Sequence, residues 1–190
     1  MRPKIRPVSA EAAAMGQAVM DSFNNVFIPE GAESYETKNG TGRRWSARLS
    51  IEKARVEVGG PKDDPNENIA VYYLMTKALP INVAPEDAVP VGTTYHLRVR
   101  VDNEKIADGD EMAIRNEAVL TTLFSALGVD VKAQGLTEEM LVGAFPEKGN
   151  EANSTLLGRR VVVTLSHSPS KEKGKSGFLN VERFLPDVEG

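Results

Sequence analysis

Cysteine is absent from this chain of 190 residues, which excludes a disulfide framework, a thiol nucleophile and any cysteine-ligated metal. Histidine occurs only as His96 and His167, outside any metal-ligand spacing. Neither is tied by the sequence to a serine or carboxylate in a catalytic pattern, so neither an enzyme nor a cofactor is expected. Gly40-Thr41-Gly42-Arg43 lacks the spacing of a phosphate-binding loop and precedes a strand pattern, not a helix. The acidic groups Asp63-Asp64 with Glu67, and Asp108-Gly109-Asp110-Glu111, lack EF-hand spacing. No apolar run approaches the ~18 residues that a helical membrane span needs. The basic start (Arg2, Lys4, Arg6) leads into an Ala-rich stretch broken by Glu11, Gln17 and Asp21, so no secretory signal is read. These features fit a cytoplasmic protein.

What is present is positive charge in unusual places. The net charge is −4, yet 11 of the 23 Lys and Arg residues fall in residues 43–55 and 159–183. Those two stretches sum to +8, which leaves −12 on the rest of the chain. Both have the pattern of a strand plus a loop, with Trp45, Phe178 and Phe184 interleaved among the cations. Cations and aromatics on a sheet suit a polyanion that exposes flat bases.

The periodicity predicts a helix over residues 9–27, capped by Ser9, with Ala12, Met15, Val19, Phe23, Val26 and Phe27 on one face. A polar loop follows over 30–42. From Arg43 the period becomes two, with Trp45, Ala47, Leu49 and Ile51 apolar. After Glu52 the phase flips to Ala54, Val56 and Val58, which implies a bulge that bends the strand. Further strands are predicted at Ile69 to Met75, Thr93 to Val101, Arg160 to Ser166 and Phe178 to Leu185. Helices are predicted at about 111–127, ending at Gly128, and at about 137–144, capped by Thr137. Three strands, a helix and two strands is the order of the five-stranded Greek-key barrel called the OB-fold. The expected architecture is mainly β (α+β), an OB-like barrel over 43–190 with an N-terminal helical extension over 1–42.

The candidate nucleic-acid-binding residues are Arg48, Tyr72, Arg98, Arg100, Lys171, Lys173, Lys175, Phe178 and Arg183. Arg48, Arg98 and Arg100 project away from the apolar faces of their strands. The three lysines sit in the hydrophilic loop between the last two strands, one of the loops OB-folds use on oligonucleotides. Tyr72 and Phe178 are the candidate stacking platforms, while Trp45 shares the apolar phase of Ala47 and Leu49 and reads as core. The expected function is single-stranded DNA binding with little sequence preference. The alternative is a structural or partner-binding protein with the same barrel, one that uses Val19, Phe23 and Phe27 of the first helix against another chain or a second copy.

The C-terminal half also carries a resemblance. Ser125-Ala126-Leu127-Gly128-Val129 ends a helix, Leu157-Gly158-Arg159-Arg160-Val161-Val162-Val163-Thr164 enters a strand, and a basic loop leads to Asn180-Val181-Glu182-Arg183-Phe184. This pattern resembles small phage-encoded proteins of DNA replication and recombination modules. The resemblance implies an OB-like barrel that binds single-stranded DNA in the host cytoplasm. It covers about 43–186 and is closest over 116–186.

Overall fold

The phase flip after Glu52 is a β-bulge. In the computed structural model, which describes residues 1–23 and 32–188, strand β2 (Gly40–Gly59) follows the hairpin partner β1 (Glu33–Thr37). The long β2 pairs with β3 (Asn66–Leu79), and its register shifts between Ile51 and Lys53. The extra residue, Glu52, is exposed, while Leu49, Ile51, Ala54 and Val56 all stay in the core. Both runs of apolar residues thus face inward on a strand that bends between them.

The bend lets β2 serve two halves of one sheet. Its N-terminal part pairs with β5 (Arg160–Ser168), and β5 pairs with β6 (Phe178–Pro186). Its C-terminal part holds β3, which in turn holds β4 (Thr94–Asp102). The six strands all pair antiparallel, in the order β4-β3-β2-β5-β6 with β1 beside β2. Beyond β5, the other edge of β2 is met by the segment before it, through Gly158 N to Ile51 O at 2.8 Å and Val56 N to Pro146 O at 3.0 Å.

Among the described residues, five α-helices and a short 3-10 turn (Glu151–Asn153) complete the fold: α1 (Ala10–Phe23), α2 (Asn103–Ala107), α3 (Glu111–Ala126), α4 (Val131–Gln134) and α5 (Glu138–Ala144). The expected caps are in place. Ser9 Oγ accepts from Ala12 N at 3.0 Å, Thr137 Oγ1 accepts from Met140 N at 3.1 Å, and Gly128 closes α3 at φ +94°. Helix α3 contacts both β4 and β6, the two end strands of the sheet. Its Thr122 Oγ1 accepts from Phe184 N of β6 at 2.9 Å.

Three expectations are corrected. Among the described residues the sheet has six strands, not five, because β1 forms inside the stretch expected to be a loop over 30–42. Nor do those residues close a barrel: β4 and β6 approach each other without a shared ladder, and α3 lies across the seam. The buried face of α1 is Ala13, Gly16 and Met20, while Met15 and Phe23 are exposed. The close approach of α3 requires this small face, since a Cβ on Gly16 would stand 3.1 Å from Ala118 Cβ. Val26 and Phe27, placed on the same expected face, lie outside the described residues.

Candidate nucleic-acid interface

The open seam forms a cleft of about 520 Å³ whose walls come from β1, β2, β4, β5, β6, α1 and α3. Four guanidiniums line it, those of Arg44, Arg98, Arg100 and Arg115, and among the described residues Glu182 is the one lining carboxylate. Arg98 and Arg100 share a face of β4 by the period of two, and both are exposed. Arg44 is set by the β1–β2 hairpin, where register puts Glu33 opposite it and Nη1 donates to Glu33 Oε1 at 2.6 Å. Its guanidinium also lies 5.0 Å from the Tyr35 ring. Gly42 opposite Tyr35 makes room for that ring, because a Cβ there would come within 2.6 Å of it.

Arg115 projects from α3, and its Nη2 donates to Glu182 Oε2 at 2.6 Å. The other oxygen of Glu182 accepts from Ser166 Oγ at 2.6 Å. Glu182 can reach both because β6 carries a second bulge. Thr164 faces Arg183 and Leu165 faces Val181, so Glu182 is left unopposed and turns out of the ladder. Arg44 and Arg115 are therefore held by carboxylates, and Arg100 Nη2 stands 3.6 Å from Asp102 Oδ2. Arg98 has no carboxylate partner among the described residues; its guanidinium lies 5.2 Å from the Tyr73 ring.

That ring joins the cleft to the outer face of the sheet. Register aligns Arg55, Tyr73 and Arg98 across β2, β3 and β4. Arg55 lies 4.1 Å from the Tyr73 ring, and Tyr73 Oη shares a 2.7 Å hydrogen bond with His96 Nδ1. Tyr73 is only 5% exposed under these neighbours. It spaces the cations and leaves no ring face for a base.

The sequence-predicted residues divide into two groups. Arg98, Arg100 and the base of the lysine loop converge: Ser168 and Leu179, which flank that loop, line the same cleft. Lys171, Lys173 and Lys175 are exposed, with Lys175 Nζ at 2.5 Å from Glu172 Oε2. Phe178 is 66% exposed at the start of β6. The other three serve the fold. Arg48 Nε donates to both oxygens of Asp187 at 2.9 Å, and both side chains are largely buried. Arg183 lies beneath α1, 3.6 Å from Asp21.

Tyr72 is the clearest correction. It is 2% exposed and packs edge-on against Phe145 at 4.9 Å, so it offers no platform. Burial, reinforced by Glu117 and opposed by Arg6, pushes the Tyr72 phenol well above its ordinary value of 10.0. In the folded state the proton is kept where the unfolded chain releases it. Its contribution is thus full below pH about 10 and falls as pH rises further, by up to about 1.4 kcal/mol per pH unit. Tyr72→Phe should make the alkaline loss of stability shallower by about one proton, measured by denaturant unfolding at increasing pH. An unchanged slope would mean the phenol is not desolvated.

Sequence reasoning missed Arg44, Arg115 and the Arg55–Tyr73 pair. Arg44 and Arg55 had a usable signal, since both occupy polar phases of β2. Arg115 had none, because nothing in a helix sequence says that it crosses a seam. No family model, no curated protein and no solved structure matches this chain.

Proposed function

We propose that this chain binds single-stranded DNA with little sequence preference, in the manner of a phage-type replication or recombination protein built on an opened OB-like sheet. The observation that carries this reading is the convergence of Arg44, Arg98, Arg100 and Arg115 on one cleft beside the lysine loop. The strand order β4-β3-β2-β5-β6 supports it, because OB-folds bind oligonucleotides on the strands equivalent to β3 and β4 and through the loop equivalent to 169–177. The overall charge of −4 repels DNA everywhere except at such a localised patch. Phosphates are held by Arg98, Arg100 and the loop lysines, while Arg44 and Arg115, paired with Glu33 and Glu182, add to the cleft's lining, and Phe178 supplies an exposed ring at its edge. No step breaks or forms a covalent bond.

The test is fluorescence anisotropy with labelled single- and double-stranded oligonucleotides at two salt concentrations. Binding should favour the single strand and weaken with salt. Changing Lys171, Lys173 and Lys175 together to alanine should weaken all sequences alike and reduce the log–log salt slope by about 0.7 for each phosphate left without its cation. Unchanged affinity in that variant removes the loop from the site, and no salt-dependent binding at all overturns the reading. The second reading, a partner-binding module, is favoured by the exposed Phe23 and Met112 on the rim of the same cleft. Failure with every oligonucleotide would leave it standing.

A further inference from the structure

A second concavity, of about 240 Å³, lies at the end of the sheet where the segment before β4 folds over the N-terminal part of β2. Its walls include Trp45 from β2 and Tyr95 from β4, with Pro90, Arg43, Glu86 and Asp87 around them. Both rings are partly buried and rest on the core. The Arg43 guanidinium stands 5.8 Å from the Trp45 ring. The covering segment is pinned at its root, with Gly92 N donating to Ala78 O and Ala78 N donating to Thr93 O, both at 2.8 Å.

Size and charge together define an occupant. The space is below the ~300–1,000 Å³ of pockets that bury a drug-sized ligand, and two aromatic side chains are among its lining residues. Two carboxylates against one guanidinium repel a phosphate, whereas a neutral heterocycle meets no such penalty. Carboxylates also accept hydrogen bonds from the amino groups of bases. Arg43 and Arg44 are adjacent on an extended strand, so they point to opposite sides of β2. The pocket thus lies on the other side of β2 from Arg44, and the exposed Arg43 in its lining can meet the phosphate next to a base seated there.

We infer that the Trp45–Tyr95 pocket takes one nucleobase of the bound single strand, stacked on the rings with its amino edge toward Glu86 and Asp87. The inference rests on the single-stranded DNA reading and adds a base subsite to it. Trp45 is the chain's one tryptophan, so its fluorescence reports on this pocket alone.

The experiment adds oligodeoxycytidylate, and an abasic oligonucleotide of equal length, to the full chain while following both anisotropy and Trp45 fluorescence. Both should bind through phosphates, but only the base-bearing strand should quench Trp45. Trp45→Ala should weaken oligodeoxycytidylate about tenfold and leave the abasic strand unaffected, whereas Trp45→Phe, which keeps a flat ring, should restore most of that loss. The abasic strand therefore serves as the check that each variant is folded. If both strands bind and neither quenches, or both quench equally, the base pocket is overturned while the DNA reading stands. If neither strand binds, the DNA reading fails and the pocket assignment fails with it.

Discussion

Changing Arg98 and Arg100 together to alanine is expected to weaken single-stranded DNA binding about 25-fold at about 0.1 M salt, without loss of folding. The magnitude follows from counterion release. On single strands each neutralised phosphate contributes about −0.7 to the log–log slope, or about fivefold in affinity per tenfold change in salt. Two such phosphates multiply to about 25-fold and lower the slope by about 1.4. These two side chains are the right pair to remove because both are exposed on β4 and line the cleft. Neither is locked into a short ion pair: the nearest carboxylate to Arg100 is 3.6 Å away, and Arg98 lies over an aromatic ring. Exposed substitutions of this kind usually change stability by less than about 0.5 kcal/mol. The measurement is a salt titration of affinity by anisotropy, with thermal unfolding as the check on the fold. Arg48→Ala is the informative contrast. Its guanidinium is committed to Asp187, so stability should fall while the salt slope stays the same. If the Arg98/Arg100 variant binds like the parent chain, the seam cleft is not the site.

The contrast between Arg48 and Arg98 shows where sequence reasoning stops. Both are cations in the polar phase of an amphipathic strand, and the period of two treats them alike. What separates them is Asp187, 139 residues away from Arg48 in the chain. The tyrosines show the same limit. Val71 to Met75 is apolar on both faces, so the pattern cannot say which of Tyr72 and Tyr73 turns inward. The register with β4 decides it, placing Tyr72 opposite Val99 and Tyr73 opposite Arg98. Local signals did better. The bulge at Glu52 was legible because a buried face cannot tolerate a slip, so the apolar residues on either side of the flip record it. The helix caps were legible for a similar reason, since their donors and acceptors lie within a few residues. Strand β1 was not, because Glu33-Ser34-Tyr35-Glu36-Thr37 has one apolar side chain and gains its order by pairing with β2. The seam was invisible too: whether two edge strands close or stay apart depends on what lies between them, here α3.

The largest loss of stability is expected from Phe145→Ala. Phe145 follows α5 and is 1% exposed, the largest of the fully buried side chains among the described residues. Its ring meets the Tyr72 ring edge-on at 4.9 Å and the Phe124 ring of α3 at 6.5 Å. It therefore ties the short C-terminal helices to both the sheet and the seam-crossing helix. The adjoining backbone is held as well, with Phe145 N donating to Leu141 O at 2.8 Å and Pro146 O accepting from Val56 N. Those bonds keep the surrounding atoms from collapsing into the space that truncation opens, so the cavity cost adds to the lost burial. Truncating a buried phenylalanine costs about 3–5 kcal/mol, against a total stability of about 5–15 kcal/mol for a typical domain. For a chain of this length the melting temperature should fall by about 6–20 °C. Chemical denaturation should show a lower midpoint at an unchanged m value, because the surface exposed on unfolding is nearly the same. Phe145 does not line the seam cleft, so below the new melting point single-stranded DNA affinity should equal that of the parent chain. A variant that kept its stability would mean that the end of the sheet under α5 is loosely packed. One that stayed folded but bound DNA more weakly would mean that the cleft's cations are positioned through α3 by this aromatic cluster, not by β4 alone.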